Sequence, residues 1–357
     1  MRWPTLSLSP RDTLLTVGIG TAGAALAWVL SMPVFMLLGP VIAVSLSSLA
    51  GLRTTIDPRL RDACFVVIGL AVGAGFDADA LGAMLRWPLA FLFMALIIWL
   101  IMAICRAMLA RFFGFDARSA LLASAPGHLS FVIAMASDTG SDVARISVTQ
   151  SMRLLAQTLV VPFVAVAMGV ELSENIAPSG EPVSLLHLGI MLVLAVVLGM
   201  LFQRASVPAP LLLAAMVVSA LGHLTALAPG VMPQWIILPA YLVLGSLIGT
   251  RFSGVTPARF VGGSAAGVAI TLVAVGLAGL GAAPVAWALG MPLAHVLVAF
   301  APGGLETMIA MGAVLGVVPG FVAACHIARL LVLSVLLPWM LARTGRVLKT
   351  PKIGPTS

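Results

Sequence analysis

Two arginines lie in long apolar stretches, where a charged side chain is costly and usually faces a protein interior or a cavity. Arg153 and Arg329 are each followed by two leucines, and each stands in a similar stretch of sequence. The guanidinium group offers a planar fork of N–H donors that matches a carboxylate or another oxyanion. The pattern favours capture of an anionic solute. The alternatives are a structural ion pair with Glu306, Asp138 or Asp142, or a side chain that extends to the membrane interface.

Two similar stretches precede these arginines: SAPGHLSFVIAMA at 124–136 and FAPGGLETMIAMG at 300–312. In each, Ala-Pro-Gly breaks an apolar helix and a new helix begins. Non-helical backbone at membrane depth is tolerated where it is buried in protein or lines a cavity. The free N–H groups and the positive dipole end of the new helix favour an anion. The candidate substrate-binding residues are Arg153, Arg329, Pro126, Gly127, His128, Ser130, Pro302, Gly303 and Gly304.

Glu306, His326 and Gln150 are candidates for coupling transport to an ion. Glu306 lies in the first turn after the second Ala-Pro-Gly, where it either carries a proton or cation or stabilises the start of its own helix. Ser130 takes the equivalent place in the first copy, which predicts an asymmetric site. His326 takes the place of Gln150, three residues before the paired arginine. His326 and His128 are either proton relays near neutral pH or structural histidines bonded to a backbone carbonyl.

The composition places these residues in an integral membrane protein. Of the 357 residues, 61% are hydrophobic and 9% are charged, and the mean hydropathy is +1.16. These values lie far outside the range of soluble domains. Apolar stretches of about 20 residues, the length that a bilayer core requires, recur along the whole chain. The formal charge of +7 comes from Lys and Arg in short loops and the tail, which fits membrane topology rather than nucleic-acid binding.

The metal-ligating residue types are scattered. Cys64, Cys105 and Cys325 are far apart and form no CxxC pair, and the five histidines form no recognisable ligand set. We therefore expect no metal, no cofactor and no enzymatic activity such as metal-dependent monooxygenation. The GxGxxG at 18–23 lies inside an apolar span with no strand before it, so it is expected to serve helix packing and not dinucleotide binding.

The chain is internally duplicated. Its twelve apolar segments form two sets of six, and at an offset of 176 one Ala-Pro-Gly falls on the other. A correspondence of this length indicates a repeat. The predicted divisions are membrane repeat 1 at 1–171, an acidic external linker at 172–183, membrane repeat 2 at 184–343 and a basic cytoplasmic tail at 344–357.

The distribution of Lys and Arg distinguishes two arrangements of the repeats, because cytoplasmic loops carry the excess. If all twelve segments cross, the repeats are parallel and five arginines lie outside. If each Ala-Pro-Gly segment is re-entrant, each repeat crosses five times and the second is upside down. Sixteen basic residues are then cytoplasmic and only Arg86 is outside. We therefore expect an all-α membrane protein of two inverted five-helix repeats, each with a re-entrant loop before its last helix. Both termini are expected in the cytoplasm, and the parallel twelve-span plan is the alternative.

Each Ala-Pro-Gly stretch is followed by a glycine, a helix containing TQSMRLL or CHIARLL, and a proline. This combination resembles the duplicated AbrB-type family of bacterial membrane proteins, and the resemblance covers nearly the whole chain. It implies a location in the bacterial inner membrane. Members usually carry Gly-Gly in both loops, from which His128 departs. The family is often labelled a regulator of gene expression or an ammonia monooxygenase. Its architecture is similar to that of citrate- and glutamate-type symporters.

These patterns predict a secondary transporter of a small anionic or zwitterionic solute, coupled to protons or sodium. The alternative is a membrane-embedded regulator or sensor that changes gene expression through a partner, since no DNA-reading module is present. The expected partners are the solute and membrane lipids, without direct contact to nucleic acid. GxxxG pairs at 69–73 and 245–249 would allow a homodimer.

Overall fold

The structure is a computed structural model that describes residues 10–76, 87–127, 129–169 and 180–347. These ranges contain fourteen α-helices and, apart from a single bridge between Pro182 and Val231, no β-structure. The first seven helices are α1 (Pro10–Val29), α2 (Phe35–Leu49), α3 (Pro58–Gly73), α4 (Pro88–Phe112), α5 (Ala117–Ser124), α6 (Leu129–Asp138) and α7 (Val143–Ala167). The second seven are α8 (Leu185–Arg204), α9 (Pro210–Leu224), α10 (Gln234–Gly249), α11 (Pro257–Leu289), α12 (Leu293–Phe300), α13 (Leu305–Val314) and α14 (Pro319–Val347).

The two sets of seven helices repeat each other. Helices α1, α2, α3, α5 and α6 have 20, 15, 16, 8 and 10 residues, and α8, α9, α10, α12 and α13 have the same lengths in the same order. The counterparts of α3, α5, α6 and α7 begin at the same offset that relates the two Ala-Pro-Gly stretches, and those of α1 and α2 begin one position earlier. The internal duplication is therefore present in the helix boundaries as well as in the residues.

In the part of the chain that the structure describes, seven helices are long and apolar enough to cross a membrane: α1, α4, α7, α8, α10 with the 3₁₀ turn Thr250–Phe252, α11 and α14. Their outer faces suit a lipid environment, since Leu186, Leu280 and Trp287 are largely exposed. Helices α2 and α9 are apolar but rise only about 22 Å, less than the roughly 30 Å of a bilayer core. The structure is thus all-helical and fits a multi-pass membrane protein.

Aspartates at loop ends set the starts of three helices. The side chain of Asp57 accepts a hydrogen bond from the backbone N–H of Arg59 at 2.7 Å, ahead of α3. Asp116 and Asp142 cap α5 and α7 in the same way. Such caps satisfy N–H groups that have no partner within the helix. Burial alone would raise the pKa of Asp116, but hydrogen bonds from Ser119 and the neighbouring backbone hold that pKa below its ordinary value.

The two halves contact each other reciprocally. Helix α2 packs on α10 while α3 packs on α9, and α7 packs on α11 while α14 packs on α4. A Cβ added to Gly69 would collide with the carbonyl oxygen of Leu212, and one added to Gly245 would collide with that of Leu37. These two contacts are equivalent under the repeat, and reciprocity of this kind is what a two-fold axis produces. Both GxxxG pairs are thus used between the halves of one chain, so a homodimer would need another face.

Candidate functional site

Each Ala-Pro-Gly stretch separates two short helices. Helix α5 ends one residue before Ala125, and α12 ends one residue before Ala301; both alanines leave the helix with ψ near 120°, at 121° and 124°. The flanking helices of 8 or 10 residues rise only about 12 to 15 Å, half a bilayer core or less. Gly127 has φ of +113°, a conformation that glycine adopts without strain. The prediction of a helix break at both positions is correct.

Arg153 holds the end of α5. It lies on α7 with 2% of its surface exposed, and its Nη1 donates to the carbonyl oxygen of Ala125 at 2.7 Å. Gln150, one turn earlier, donates from Nε2 to the carbonyl oxygens of Leu122, Ala123 and Ala125 at 3.1, 3.0 and 3.0 Å. The last carbonyls of a helix have no partner within it, so these two side chains satisfy that end.

Arg329 does the same in the second half. It is also 2% exposed, and it donates from Nη1 to Ala301 at 2.9 Å and from Nη2 to Gly303 at 2.7 Å. Ala301 is the counterpart of Ala125, so both arginines bind the same carbonyl in their own repeat. A Cβ on Gly127 would lie 3.4 Å from Nε of Arg329, so this side chain lies against the first break as well. One cluster therefore joins both breaks.

The two guanidinium groups meet at the first break, because Nη1 of Arg153 binds the carbonyl oxygen of Ala125 and Nε of Arg329 lies against Gly127. Within the described ranges, Arg61 and Asp62 form an ion pair with their charged atoms less than 4.0 Å apart. Neither Arg153 nor Arg329 forms an ion pair with a described residue. Asp142 caps α7 instead. The low exposure also rules out side chains that extend to the membrane interface. Two buried arginines are thus held at the breaks by neutral carbonyl oxygens, and positive charge without a nearby counter-charge attracts an anion.

His326 departs from its counterpart Gln150. Its Nδ1 lies 2.9 Å from the carbonyl oxygen of Val322 on its own helix. Because a carbonyl only accepts hydrogen bonds, the proton is on Nδ1. The buried Nε2 has no hydrogen-bond partner in the described part of the chain. The bond to a backbone carbonyl is the structural arrangement anticipated for this histidine, and a role in coupling stays a prediction.

Glu306 lies on the wall of a cavity. It is half-buried in the first turn of α13, as its position after the second break predicts. The cavity has a volume of about 760 Å³ and is also lined by Arg59 and Arg61 at the start of α3, and by Gln203 and Arg204 at the end of α8. Glu306 is thus placed beside the second break on a surface that carries three arginines.

Comparisons with known proteins identify the family. A family model described as "Transition state regulatory protein AbrB" matches residues 5–344. The chain belongs to the AbrB family. A protein of Escherichia coli (strain K12) named "Putative regulator AbrB" is 25% identical over 228 residues, which are 62% of this chain and 64% of the relative. "Uncharacterized protein YhjN" of Bacillus subtilis (strain 168) is 28% identical over 268 residues, 68% of either chain.

The resemblance inferred from the two Ala-Pro-Gly stretches is thereby confirmed. The alignment spans less than two thirds of the length of the Escherichia coli relative.

The remaining predicted site residues of this AbrB-family chain lie in the two breaks or next to them. Pro126, Pro302 and Gly303 are buried, and Gly304 is half-buried. Ser130 is in the first turn of α6; its side chain and the whole of His128 lie outside the described residues. The three cysteines are free and buried. Across the described ranges no three His, Cys, Asp or Glu side chains group as metal ligands would.

Two buried polar residues of this AbrB-family chain were not predicted from the sequence as site residues. Thr149 and Gln157 on α7 are fully buried, and neither end of the Gln157 amide has a hydrogen-bond partner within the described structure. Thr149, Arg153 and Gln157 follow one another at intervals of four residues, so they share one face of the helix. The sequence signal that could have identified them is this row of polar residues on one face of an otherwise apolar helix.

Proposed function

We propose that this AbrB-family protein is a secondary transporter of a small anion, not an enzyme, and that transport is coupled to protons or sodium. The observation that carries the proposal is the pair of buried guanidinium groups at two helix breaks. A buried charge without a counter-charge is costly, and removing water strengthens its attraction for an opposite charge. An anion bound between Arg153 and Arg329 would neutralise this charge.

The hydrogen bonds limit how the arginines meet a substrate. Nη1 of Arg153 and both Nη atoms of Arg329 already donate to loop carbonyls. Nε of each arginine is buried and has no such partner in the described residues. We infer that the substrate oxygens are bound by this free edge and by the N–H groups at the starts of α6 and α13. Broken helices whose ends meet at a central site serve this purpose in many secondary transporters.

We further infer that the segment containing α5 and α6 is re-entrant. Arg145, at the start of α7, donates to the carbonyl oxygens of Gly114, at 3.1 Å, and Phe113, just after the end of α4. The backbone N–H of Asp142 donates to the hydroxyl of Ser119 at 3.3 Å. The segment thus returns to the place where it started, which is the behaviour of a re-entrant loop and not of a crossing helix.

Two further contacts favour the inverted arrangement. Arg204 shares a cavity with Arg59, and the backbone N–H of Thr54 donates to the hydroxyl of Ser253 at 3.2 Å. In the twelve-span plan the members of each pair would lie on opposite sides of the membrane. In the inverted plan all four lie on the cytoplasmic side.

Cysteine labelling tests this topology. In a background lacking Cys64, Cys105 and Cys325, exposed positions Leu52, Glu181 and Ala205 are replaced singly with cysteine and treated with a membrane-impermeant maleimide. Leu52→Cys and Ala205→Cys are expected to react in inside-out vesicles, and Glu181→Cys in intact cells. Reaction of Leu52→Cys and Ala205→Cys from opposite sides would establish parallel repeats and remove the shared re-entrant site.

Flux into liposomes tests the function. The purified chain is reconstituted under proton and sodium gradients and supplied with labelled carboxylates, amino acids and inorganic oxyanions. At least one anion is expected to accumulate, and only with one of the gradients. The matched control is the Arg153→Ala/Arg329→Ala double variant, in which accumulation is expected to fall to the level of empty liposomes. A panel in which no anion moves faster than in these controls would contradict the proposal.

A regulator is the second candidate, and it rests on the family description and on the name of the Escherichia coli relative. In a deletion strain with an altered transcript profile, a regulator that works without transport would still complement as the arginine double variant. Failure of that variant to complement would make altered gene expression a consequence of transport.

A further inference from the structure

A groove outside the arginine cluster opens between the ends of α4 and α14. It has a volume of about 560 Å³ and is lined by Trp99, Arg106, Trp339 and Arg343, with small side chains such as Ala103 between them. Both helices are candidate membrane spans. The groove is therefore a cleft between two spans that opens on the outer surface of the protein.

The chemistry of this groove changes along its length. On each helix the arginine follows the tryptophan toward the C-terminal end, by about 10 Å on α4 and about 6 Å on α14. Trp339, one turn before Arg343, has the position typical of the boundary between headgroups and acyl chains, and arginine reaches the headgroups. Trp99 lies near the middle of α4, at the depth of the acyl chains. The guanidinium carbon of Arg343 lies 3.9 Å from the ring centroid of Trp339, so the cation is stacked on the ring.

The charge of the groove has one sign. Among the described residues, its lining includes two arginines and no acidic residue. Arg106 is half-buried and lines the cleft, and both arginines lie on the side that the inverted arrangement places in the cytoplasm. Basic clefts between spans on that side suit anionic lipid headgroups, whose phosphate accepts hydrogen bonds from guanidinium groups.

We propose that this groove binds one anionic phospholipid. The headgroup phosphate lies between Arg106 and Arg343, and an acyl chain lies along Trp99 and Ala103 toward the bilayer centre. The alanines keep the cleft wide enough to admit the chain. This site does not depend on the transport proposal, because it needs only the location in a membrane.

Native mass spectrometry of the full chain tests the proposal, with phosphatidylglycerol and phosphatidylethanolamine added in equal amounts. Wild type is expected to bind one phosphatidylglycerol at least about tenfold more tightly than phosphatidylethanolamine. The Arg106→Gln/Arg343→Gln double variant is expected to lose this preference. The control is Arg111→Gln, which alters an arginine that is exposed at the same end of α4 but does not line the groove.

Four outcomes would overturn the proposal. The first is equal affinity of wild type for the two lipids, a result that does not require any variant to fold. The second is an equal effect of the double variant and of Arg111→Gln. The third is displacement of phosphatidylglycerol by glycerol 1-phosphate at equal concentration, which would make the site one for a soluble phosphate. Loss of a dimer in the double variant without loss of lipid would assign the groove to a contact between copies.

Discussion

Arg329→Gln is expected to abolish anion uptake and to lower the stability of the fold. The substitution removes hydrogen bonds at 2.9 and 2.7 Å to the carbonyl oxygens of Ala301 and Gly303, which stay buried. The carbonyl oxygen of Ala301 keeps the backbone N–H of Gly303 as a donor at 2.8 Å, whereas that of Gly303 loses its side-chain donor. A buried acceptor left without a donor costs about 1–3 kcal/mol. The substitution also removes one of the two interior positive charges that would bind the anion. We expect uptake at least about 100-fold below wild type and a clearly lower unfolding midpoint in detergent.

Arg329→Lys separates the two roles of this side chain. Lysine keeps the positive charge but carries it on a point-like ammonium group without the planar fork. It is expected to keep part of the anion affinity while failing to bind both carbonyls, so uptake should fall less than in Arg329→Gln. Exposed Arg111→Gln is the control and should leave uptake and unfolding unchanged.

Anion affinity is measured separately from flux, as the rise in unfolding midpoint with the transported anion, since a ligand that binds the native state stabilises it. If folded Arg329→Gln kept wild-type uptake and the same rise, the cluster would not be the anion site. If Arg329→Gln showed a lower midpoint but full uptake, Arg329 would only support the loop.

The paired arginines and loops were predictable because the chain contains two copies of the pattern. One shared offset in sequence number pairs Ala125 with Ala301 and Arg153 with Arg329 before any contact is known. The contacts between them were not predictable. The sequence favoured the guanidinium fork as a substrate clamp, whereas the structure uses Nη1 of Arg153 and both Nη atoms of Arg329 to hold the loop of each arginine's own repeat.

Residues without a counterpart in the other repeat were harder to find. Gln157 corresponds to Leu333 at the same offset, so comparison of the two repeats does not indicate that Gln157 is a site residue. Its burial follows from the packing of α7, which no local pattern reports. The arginines that line the cavity beside Glu306 were not predicted from the sequence, for a related reason. Arg59 and Arg204 come from α3 and α8, far from Glu306 in the chain, and meet it only because the halves pack reciprocally.

Helix limits show which local signals are reliable. Proline ends a helix at or before the preceding residue, so Pro33 and Pro208 indicate breaks before the second helix of each repeat. Helices α2 and α9 begin within two residues of these prolines, at Phe35 and Pro210. The apolar run at 258–282 indicates a helix shorter than the one observed, since α11 continues through Pro284 to Leu289. A proline ends a helix in water more readily than in a membrane, where neighbouring groups satisfy the freed carbonyl.

Gly127→Ala is expected to reduce uptake more than its local strain alone would, because Gly127 lies in one break and touches the arginine of the other. At φ of +113° an alanine is strained, by about 1–3 kcal/mol. Its Cβ would also stand 3.4 Å from Nε of Arg329, the atom that we propose binds the substrate. The methyl group would therefore lie in contact with this atom and cover the edge that binds the substrate, and we expect anion binding to weaken by about tenfold or more.

Gly140→Ala is the matched control for this substitution. Gly140 also has a positive φ, +63°, but an added Cβ would meet no atom within 4 Å. Both variants are expected to lower the unfolding midpoint in detergent, and only Gly127→Ala should weaken stabilisation by the anion. Because Gly127 and Arg329 belong to different repeats, this difference measures whether the two breaks form one site. Equal anion affinity in the two variants would mean that each break acts alone, and a single anion shared by both arginines would then be excluded.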